Sequence, residues 1–305
     1  MKDEARPKAR GVSEVIRVGR RTISISNRDK VLFPDDGVTK GDVIDYYAAV
    51  APAMLPYTRK RPDTLERYPD GIEAQRIFQK NAAKYFPEWI PRASMPKKGG
   101  TVEHVIVGDA ASLVYLANQA TITHHMWLST VEKPAHPDQL IFDLDPSGDT
   151  FADVRRTALM LRDLLRDAGL VPFVKTSGSK GLHVVTPLRP VVGFAEVYGY
   201  ARAVAEELIA EHPRMLTLEF SKAQREGRIF MDVNRNAYAQ TAAAPYSVRA
   251  RRGAPVAVPL AWDEVEERSL RPDGISMTEA LRRASGPDPW SGFRGAARSL
   301  KRLLP

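Results

Sequence analysis

The sequence predicts a mixed α/β (α+β) fold, and three observations carry the prediction. Short apolar runs of strand character alternate with longer segments whose apolar residues recur at helical spacing. Of 305 residues, 43% are hydrophobic and 27% charged, a composition that builds a core and excludes wholesale disorder. No internal repeat and no low-complexity tract interrupts the pattern. The length favours one large domain or two closely packed lobes.

Residues 1–20 are charged and aperiodic until Val15–Val18, so a loose basic N-terminus is expected there. Arg21–Ser26 reads as a strand, followed by a loop with turn chemistry at Pro34, Asp35, Asp36 and Gly37. Thr39 and Asp42 form a capping-box pattern, after which Val43, Tyr47, Val50 and Met54 share one helical face up to Pro56. Thr64–Asn81 reads as two short strands around a Pro69-Asp70-Gly71 turn, and Asp109 as the cap of a helix over 112–119. Gln139–Asp145 is a short, mostly apolar strand. A helix is expected from Thr150, with Val154, Ala158, Leu161 and Leu165 inward and Gly169 as its stop. Strands at 171–176 and 182–187 flank a Gly/Ser loop. Phe194–Glu211 is a second amphipathic helix closed by Pro213, and Arg228–Val233 a late strand. Apolar density falls from about residue 250, and the chain ends in a basic, helix-like tail over 291–305. One catalytic domain over 21–290 is therefore expected.

Forty-five Lys and Arg against 37 Asp and Glu give a net charge of +8, which suits a polyanionic partner. Cysteine is absent, excluding disulfides, thiolate metal sites and cysteine nucleophiles. No secretory signal and no apolar run of about 18 residues is visible, so a cytoplasmic, nucleoid-associated protein with no membrane contact is expected.

The strongest local signal is Ile141-Phe-Asp-Leu-Asp-Pro-Ser147. Asp143 and Asp145 stand two apart on a strand, so both carboxylates project from one face and repel unless a cation lies between them. That favours Mg²⁺ or Mn²⁺; the alternative is a strand end that caps the next helix. Asp232, an acid among apolar residues on a second strand, adds a third carboxylate, and such a set can hold two ions about 3.5–4 Å apart. Its alternative is an ion pair with Arg228 or Arg235. The Ser177-Gly-Ser-Lys-Gly181 loop lets backbone N–H groups approach a phosphate, although it lacks the Walker spacing and, taken alone, reads as a hairpin. Between the acid pair and the third acid it reads as a triphosphate cradle. His124 and His125 face opposite sides of a strand, so at most one serves this site. Basic residues interleave with aromatics around Arg76–Lys80, Lys84–Phe86 and Tyr246–Arg252, which suits a nucleic-acid track or a solvated face.

The order of these motifs resembles the archaeo-eukaryotic primase superfamily, and more closely the polymerase domain of bacterial ligase D. The segments carrying the resemblance are NRDKVLFP, TKGDVIDYY, FQKN, HMW, IFDLDPS, TSGSKGLH and APYSVRAR, which together cover most of the chain. The resemblance implies a primase-like core of mixed and antiparallel sheets with flanking helices. It implies Asp143, Asp145 and Asp232 as ligands of two Mn²⁺ or Mg²⁺ ions. By the same resemblance Ser177, Ser179, Lys180 and His183 hold the triphosphate of an NTP or dNTP. His125, Arg235 and Arg249 complete the nucleotide site, and Arg67, Phe78 and Lys80 touch DNA. Asn27, Lys30 and Lys40 match a pocket for a downstream 5′-phosphate. The family often carries two adjacent aromatics where this chain has Ile77-Phe78, so only Phe78 can stack on template.

The implied function is gap filling and end extension in non-homologous end joining, on DNA with gaps, overhangs or 5′-phosphorylated ends. Preference for Mn²⁺ and tolerance of ribonucleotides are implied with it. A dedicated primase and a catalytically silent DNA-end-binding module are the competing readings. No ligase or nuclease sequence accompanies these motifs. The starting Met and long basic end fit a stand-alone polymerase that works with Ku and a separate ATP-dependent DNA ligase, the alternative being a domain excised from a larger ligase.

Overall fold

A computed structural model describes residues 14–148 and 151–304. Its centre is two six-stranded sheets. The first runs, in spatial order, Leu216–Thr217, Ile229–Asp232, Gln139–Asp145, Leu182–Pro187, Phe173–Thr176 and Pro259–Leu260. All its pairs are antiparallel except that of Leu216–Thr217 with Ile229–Asp232. The second runs Thr241–Ala243, Thr121–Trp127, Pro62–Arg67, Gly100–Ile106 and Arg92–Lys97, with Ile77–Gln79 also paired to Pro62–Arg67. The mixed α/β architecture is thus the one expected.

Alternation along Gln139–Asp145 explains how the first sheet divides the molecule. Leu140, Phe142 and Leu144 point to one side and are fully buried in the main core, with Val154, Ala158, Leu161 and Leu165 of helix Phe151–Asp167 and Val197 and Ala201 of helix Phe194–Glu211. Ile141, Asp143 and Asp145 point to the other. Ile141 joins Val185, Trp290 and Ala242 in a smaller cluster, and the two acids follow further along the same face.

The helix signals act as read. Thr39 accepts from the Asp42 N–H and the Asp42 carboxylate accepts from the Thr39 N–H at 2.7 Å, closing the capping box of helix Lys40–Thr58. Asp109 caps Ala110–Asn118 through the Ser112 N–H. The expected start at Thr150 lies outside the described residues.

Three expectations are corrected, and one hairpin is added. Residues 1–13 lie outside the described residues, but Glu14–Val18, expected to be loose, pairs with Arg21–Ile25 through a tight turn at Gly19. Pro56 does not end its helix, which continues to Thr58 and closes with the Arg59 N–H on the Leu55 carbonyl. The hairpin of Arg92–Lys97 and Gly100–Ile106, which carries no clear period-two pattern, adds two unexpected strands to the second sheet. The C-terminal segment is not a basic tail: Phe293 stacks on Trp290 with ring centroids 4.9 Å apart, Arg298 bridges Leu188, and Leu300 is fully buried. Its apolar residues fill the core singly, which leaves no helical period to read.

Candidate active site

Register, more than sequence proximity, builds this site. On the first sheet Asp143 lies opposite Asp232 on one neighbouring strand and opposite His183 on the other, while Lys175 lies opposite His183 one strand further on. Cross-strand partners share a face, so Asp232, Asp143, His183 and Lys175 form one row, with Asp145 two residues along from Asp143. The Arg235 Nε stands 3.3 Å from a carboxylate oxygen of both Asp143 and Asp232, and His183 Nε2 is 3.2 Å from the other Asp143 oxygen. Arg235 is placed by its neighbour Asn236, whose amide oxygen accepts from the Ile141 N–H at 2.9 Å and whose amide nitrogen donates to the Ile141 carbonyl at 2.7 Å.

The electrostatics divide the acids. Burial would raise Asp143, but His183, Arg235 and Lys175 pull it well below the usual carboxylate range. Burial and the neighbouring Asp143 push Asp145 up to about 7. Asp232 is also raised, first by burial, with Arg235 opposing. The three acids offer oxygen donors, and Asp145 is held near neutral by burial and by Asp143, a donor chemistry that fits hard divalent cations such as Mg²⁺ or Mn²⁺. Among the described residues no group of three or more His, Asp and Glu side chains is gathered closely enough to enclose an ion. Arg235 instead bridges Asp143 and Asp232.

Beside this row sits the Ser177–Gly181 loop. The Ser177 hydroxyl accepts from the N–H groups of Ser179 at 3.2 Å and Gly181 at 3.1 Å, which curls the backbone into a cup. Gly178, at φ +62°, turns that cup. Lys180 is exposed, and Arg249 donates to the Ser177 carbonyl at 2.6 Å. His183 is nearly sealed and turned onto Asp143, a position from which it orients the acid more than it meets a phosphate. Burial and then Lys175 lower its imidazole to about 4.

The second sheet closes the site from across. His125 Nε2 lies 2.8 Å from Glu66, whose other oxygen accepts from the Tyr68 hydroxyl at 2.9 Å. Phe78, half exposed, meets the His125 ring edge-on at 5.4 Å, and the Arg76 guanidinium lies 5.8 Å from the Phe78 centroid. His124 points the opposite way, fully buried against Asp63 at 2.6 Å, and is a core residue. Arg249 joins the two sheets: burial lowers its guanidinium, while Glu66 from one sheet and Asp143 from the other act against that.

A model of the LigD primase-polymerase domain matches residues 39–290. The chain belongs to that family. It is 38% identical over 270 residues to the multifunctional non-homologous end joining DNA repair protein LigD of Mycobacterium tuberculosis, covering 86% of this chain and 35% of that protein. To the bifunctional non-homologous end joining protein LigD of Bacillus subtilis it is 31% identical over 252 residues, covering 82% of this chain and 40% of the other. The chain therefore spans between a third and two fifths of these relatives. Its fold is similar to the polymerase domain of Mycobacterium tuberculosis ligase D, solved in complex with DNA, at a TM-score of 0.84 and 37% identity, covering 90% of this chain and 99% of that one.

Further family-type positions lie at the edges. Arg67 donates to the Gln119 carbonyl at 2.8 Å and to Gln79 at 2.6 Å, bracing the Ile77–Gln79 strand that carries Phe78 and precedes Lys80. Lys30 pairs with Asp70 at 2.6 Å. Lys40 is buried and directs its ammonium at Asn118 Oδ1 (3.0 Å), the Asn118 carbonyl (3.2 Å) and the Ser26 hydroxyl (3.4 Å). Asn27, at φ +49°, turns the loop that brings Lys30 beside this helix start. Sequence reasoning missed Glu66, Lys175 and Asn236. Glu66 lies on a strand with no alternating pattern to mark it, and Lys175 and Asn236 adjoin the motifs but carry no spacing of their own.

Proposed function

We propose that this chain is a template-directed nucleotidyltransferase that fills gaps and extends ends at DNA breaks. The observation that carries the reading is the cross-strand set Asp143, Asp145 and Asp232 on one face beside the Ser177–Gly181 cup. A primer 3′-OH attacks the α-phosphorus of a bound nucleotide, and pyrophosphate leaves. Asp143, Asp145 and Asp232 would hold the divalent ions, which when bound lower the hydroxyl's pKa and neutralise charge on the phosphates. The protein's own part is placement. The Ser177–Gly181 cup, Lys180 and Arg249 grip the triphosphate, Glu66 aims His125 at the nucleotide, and Asn236 keeps Arg235 against the acids. Phe78 offers a stacking face to the template.

DNA with gaps, overhangs or 5′-phosphorylated ends is the proposed substrate, with Ku and a separate ATP-dependent ligase as proposed partners in the cytoplasm. The relatives' names as end joining proteins and the DNA in the similar structure support the DNA substrate. No helix among the described residues is long and apolar enough to cross a membrane. The deciding experiment extends a gapped, 5′-phosphorylated duplex with NTPs against dNTPs, in Mn²⁺ and in Mg²⁺. Absence of any primer extension under all four conditions would refute the reading.

Asn27, Lys30 and Lys40 are the proposed 5′-phosphate pocket, in which the phosphate displaces the long Ser26 contact of Lys40. Lys30→Ala combined with Lys40→Met is expected to weaken binding to gapped DNA only when the 5′-phosphate is present. Burial, then the charge of Lys30, lowers Lys40 to about 8. The charged form it needs is therefore lost as pH rises through about 8, and the wild-type preference for phosphorylated ends fades in that range. The same shift acts on stability with the opposite sign: the unfolded lysine holds its proton more tightly, so folding strengthens as pH rises from 8 toward 10.5. Equal loss on phosphorylated and unphosphorylated DNA would reduce the pocket to a generic basic patch.

A further inference from the structure

Lys175 is a buried lysine with almost nothing to bind. It is 2% exposed on strand Phe173–Thr176, and the hydrogen bond its ammonium makes, to the Thr176 carbonyl, is 3.4 Å long. It lines a small cavity of about 20 Å³ with Met126, Ala243, Pro245 and Trp290, room for about one water. A water there takes an N–H but brings no charge. Buried ammonium groups are ordinarily paired, because the desolvation of an unpaired cation is strongly unfavourable.

The nearest charges do not settle the account. Asp143, the acid that attracts Lys175, is already engaged by Arg235 at 3.3 Å and His183 at 3.2 Å. Arg249 repels it, and Arg249 is itself fixed to the Ser177 carbonyl at 2.6 Å. Two like charges are thus held together behind one loop, Lys175 two residues before Ser177 in the chain and Arg249 bonded to Ser177 directly. Burial, then Arg249, lowers Lys175 to about 7, as expected of a cation lacking an anion.

Resting on the polymerase reading above, we infer that Lys175 is a positioning residue for the incoming nucleotide, its buried charge awaiting the triphosphate that the Ser177–Gly181 cup receives. The nucleotide supplies the missing anion, and the charge behind the loop draws the triphosphate inward, beside the acid row. The geometry gives it no part in binding DNA, since its side chain is sealed from the surface that carries Phe78 and Lys80.

The test is Lys175→Met, a substitution of similar length, read by nucleotide affinity (ATP and dATP titrations in Mn²⁺), gapped-duplex affinity, KM against kcat, and thermal melting. Nucleotide affinity is expected to fall about tenfold, the effect of one unit charge through a partly screened interior. KM should rise more than kcat falls, and DNA affinity and the melting temperature should not drop, because an unpaired buried charge has been removed. If Lys175→Met melts early, Lys175→Gln, which keeps a polar end in the cavity, takes its place. Unchanged nucleotide affinity overturns the inference, as does an equal loss of nucleotide and DNA binding, the result a merely structural lysine gives. Wild-type protein that binds no nucleotide sinks the polymerase reading itself, whereas a binding wild type with an indifferent variant sinks only the role of Lys175.

Discussion

Alanine at both Asp143 and Asp145 is expected to leave no measurable nucleotide addition while binding to gapped DNA persists. The two carboxylates face one another's field on a single strand face, and Asp232 stands across from Asp143 in register. Removing the pair would take away the proposed donors for a cation at the reacting phosphate. Charge stabilisation there is worth several kcal/mol, so the rate falls by about 10³-fold or more. The fold tolerates the change, since Leu140, Phe142 and Leu144 on the opposite face supply the strand's core contacts. Removing Asp145, held near neutral by burial and Asp143, even relieves a crowded acid. DNA affinity is expected to stay within a few-fold, since the proposed DNA contacts, Phe78 and cations such as Lys80, lie elsewhere. A primer-extension assay beside a DNA-binding titration checks both halves. Measurable addition by the double variant would remove the acids from the chemistry; parallel loss of DNA binding would assign them to the fold.

Part of this site was legible because its residues announce themselves within a few positions of each other. Asp143 and Asp145 need only strand geometry to share a face, and the Ser177–Gly181 loop needs only its small residues. Capping at Thr39 and Asp109 and the helix Phe194–Glu211 are local in the same sense. What escaped depends on partners distant in sequence. Lys175 is one of 45 basic residues, and only the pairing of its strand with Leu182–Pro187 sets it beside His183. Glu66 earns its place through His125, 59 residues away. Asn236 acts on the Ile141 backbone, 95 residues away, and so fixes Arg235. His183 shows the converse: the motif was visible, but its burial against Asp143, and hence its orienting position, follows from register alone. The C-terminal segment misleads by composition, because Trp290, Phe293 and Leu300 are too widely spaced to look like a core.

Gly181→Ala is expected to damage both the fold and the activity of the enzyme, by a different route. A Cβ at Gly181 would lie 1.8 Å from the Leu144 carbonyl oxygen and 2.9 Å from its carbon. The obstacle is backbone of the central strand, flanked by Asp143 and Asp145, and no side-chain rotation relieves it. Strand Leu182–Pro187 would have to draw away from Gln139–Asp145, opening the ladder at the Leu144–Leu182 pair. The Gly181 N–H would leave the Ser177 hydroxyl, so the cup flattens as Asp145 shifts. Overpacking of this kind costs about 3 kcal/mol or more. At about 2 °C per kcal/mol for a chain of this size, the melting temperature should fall by roughly 6 °C or more. Extension should fall further than the melting temperature alone accounts for, since a displacement of about 1 Å at a reacting centre costs on the order of 10²-fold. Gly199→Ala is the control. Gly199 lies inside helix Phe194–Glu211 with nothing within 4 Å of its added Cβ, and there alanine should stabilise by about 0.4–1 kcal/mol with activity intact. If Gly181→Ala melts within about a degree of wild type and extends primers normally, the close approach of loop to acid strand is not what forms the cup, and the site must be assembled some other way.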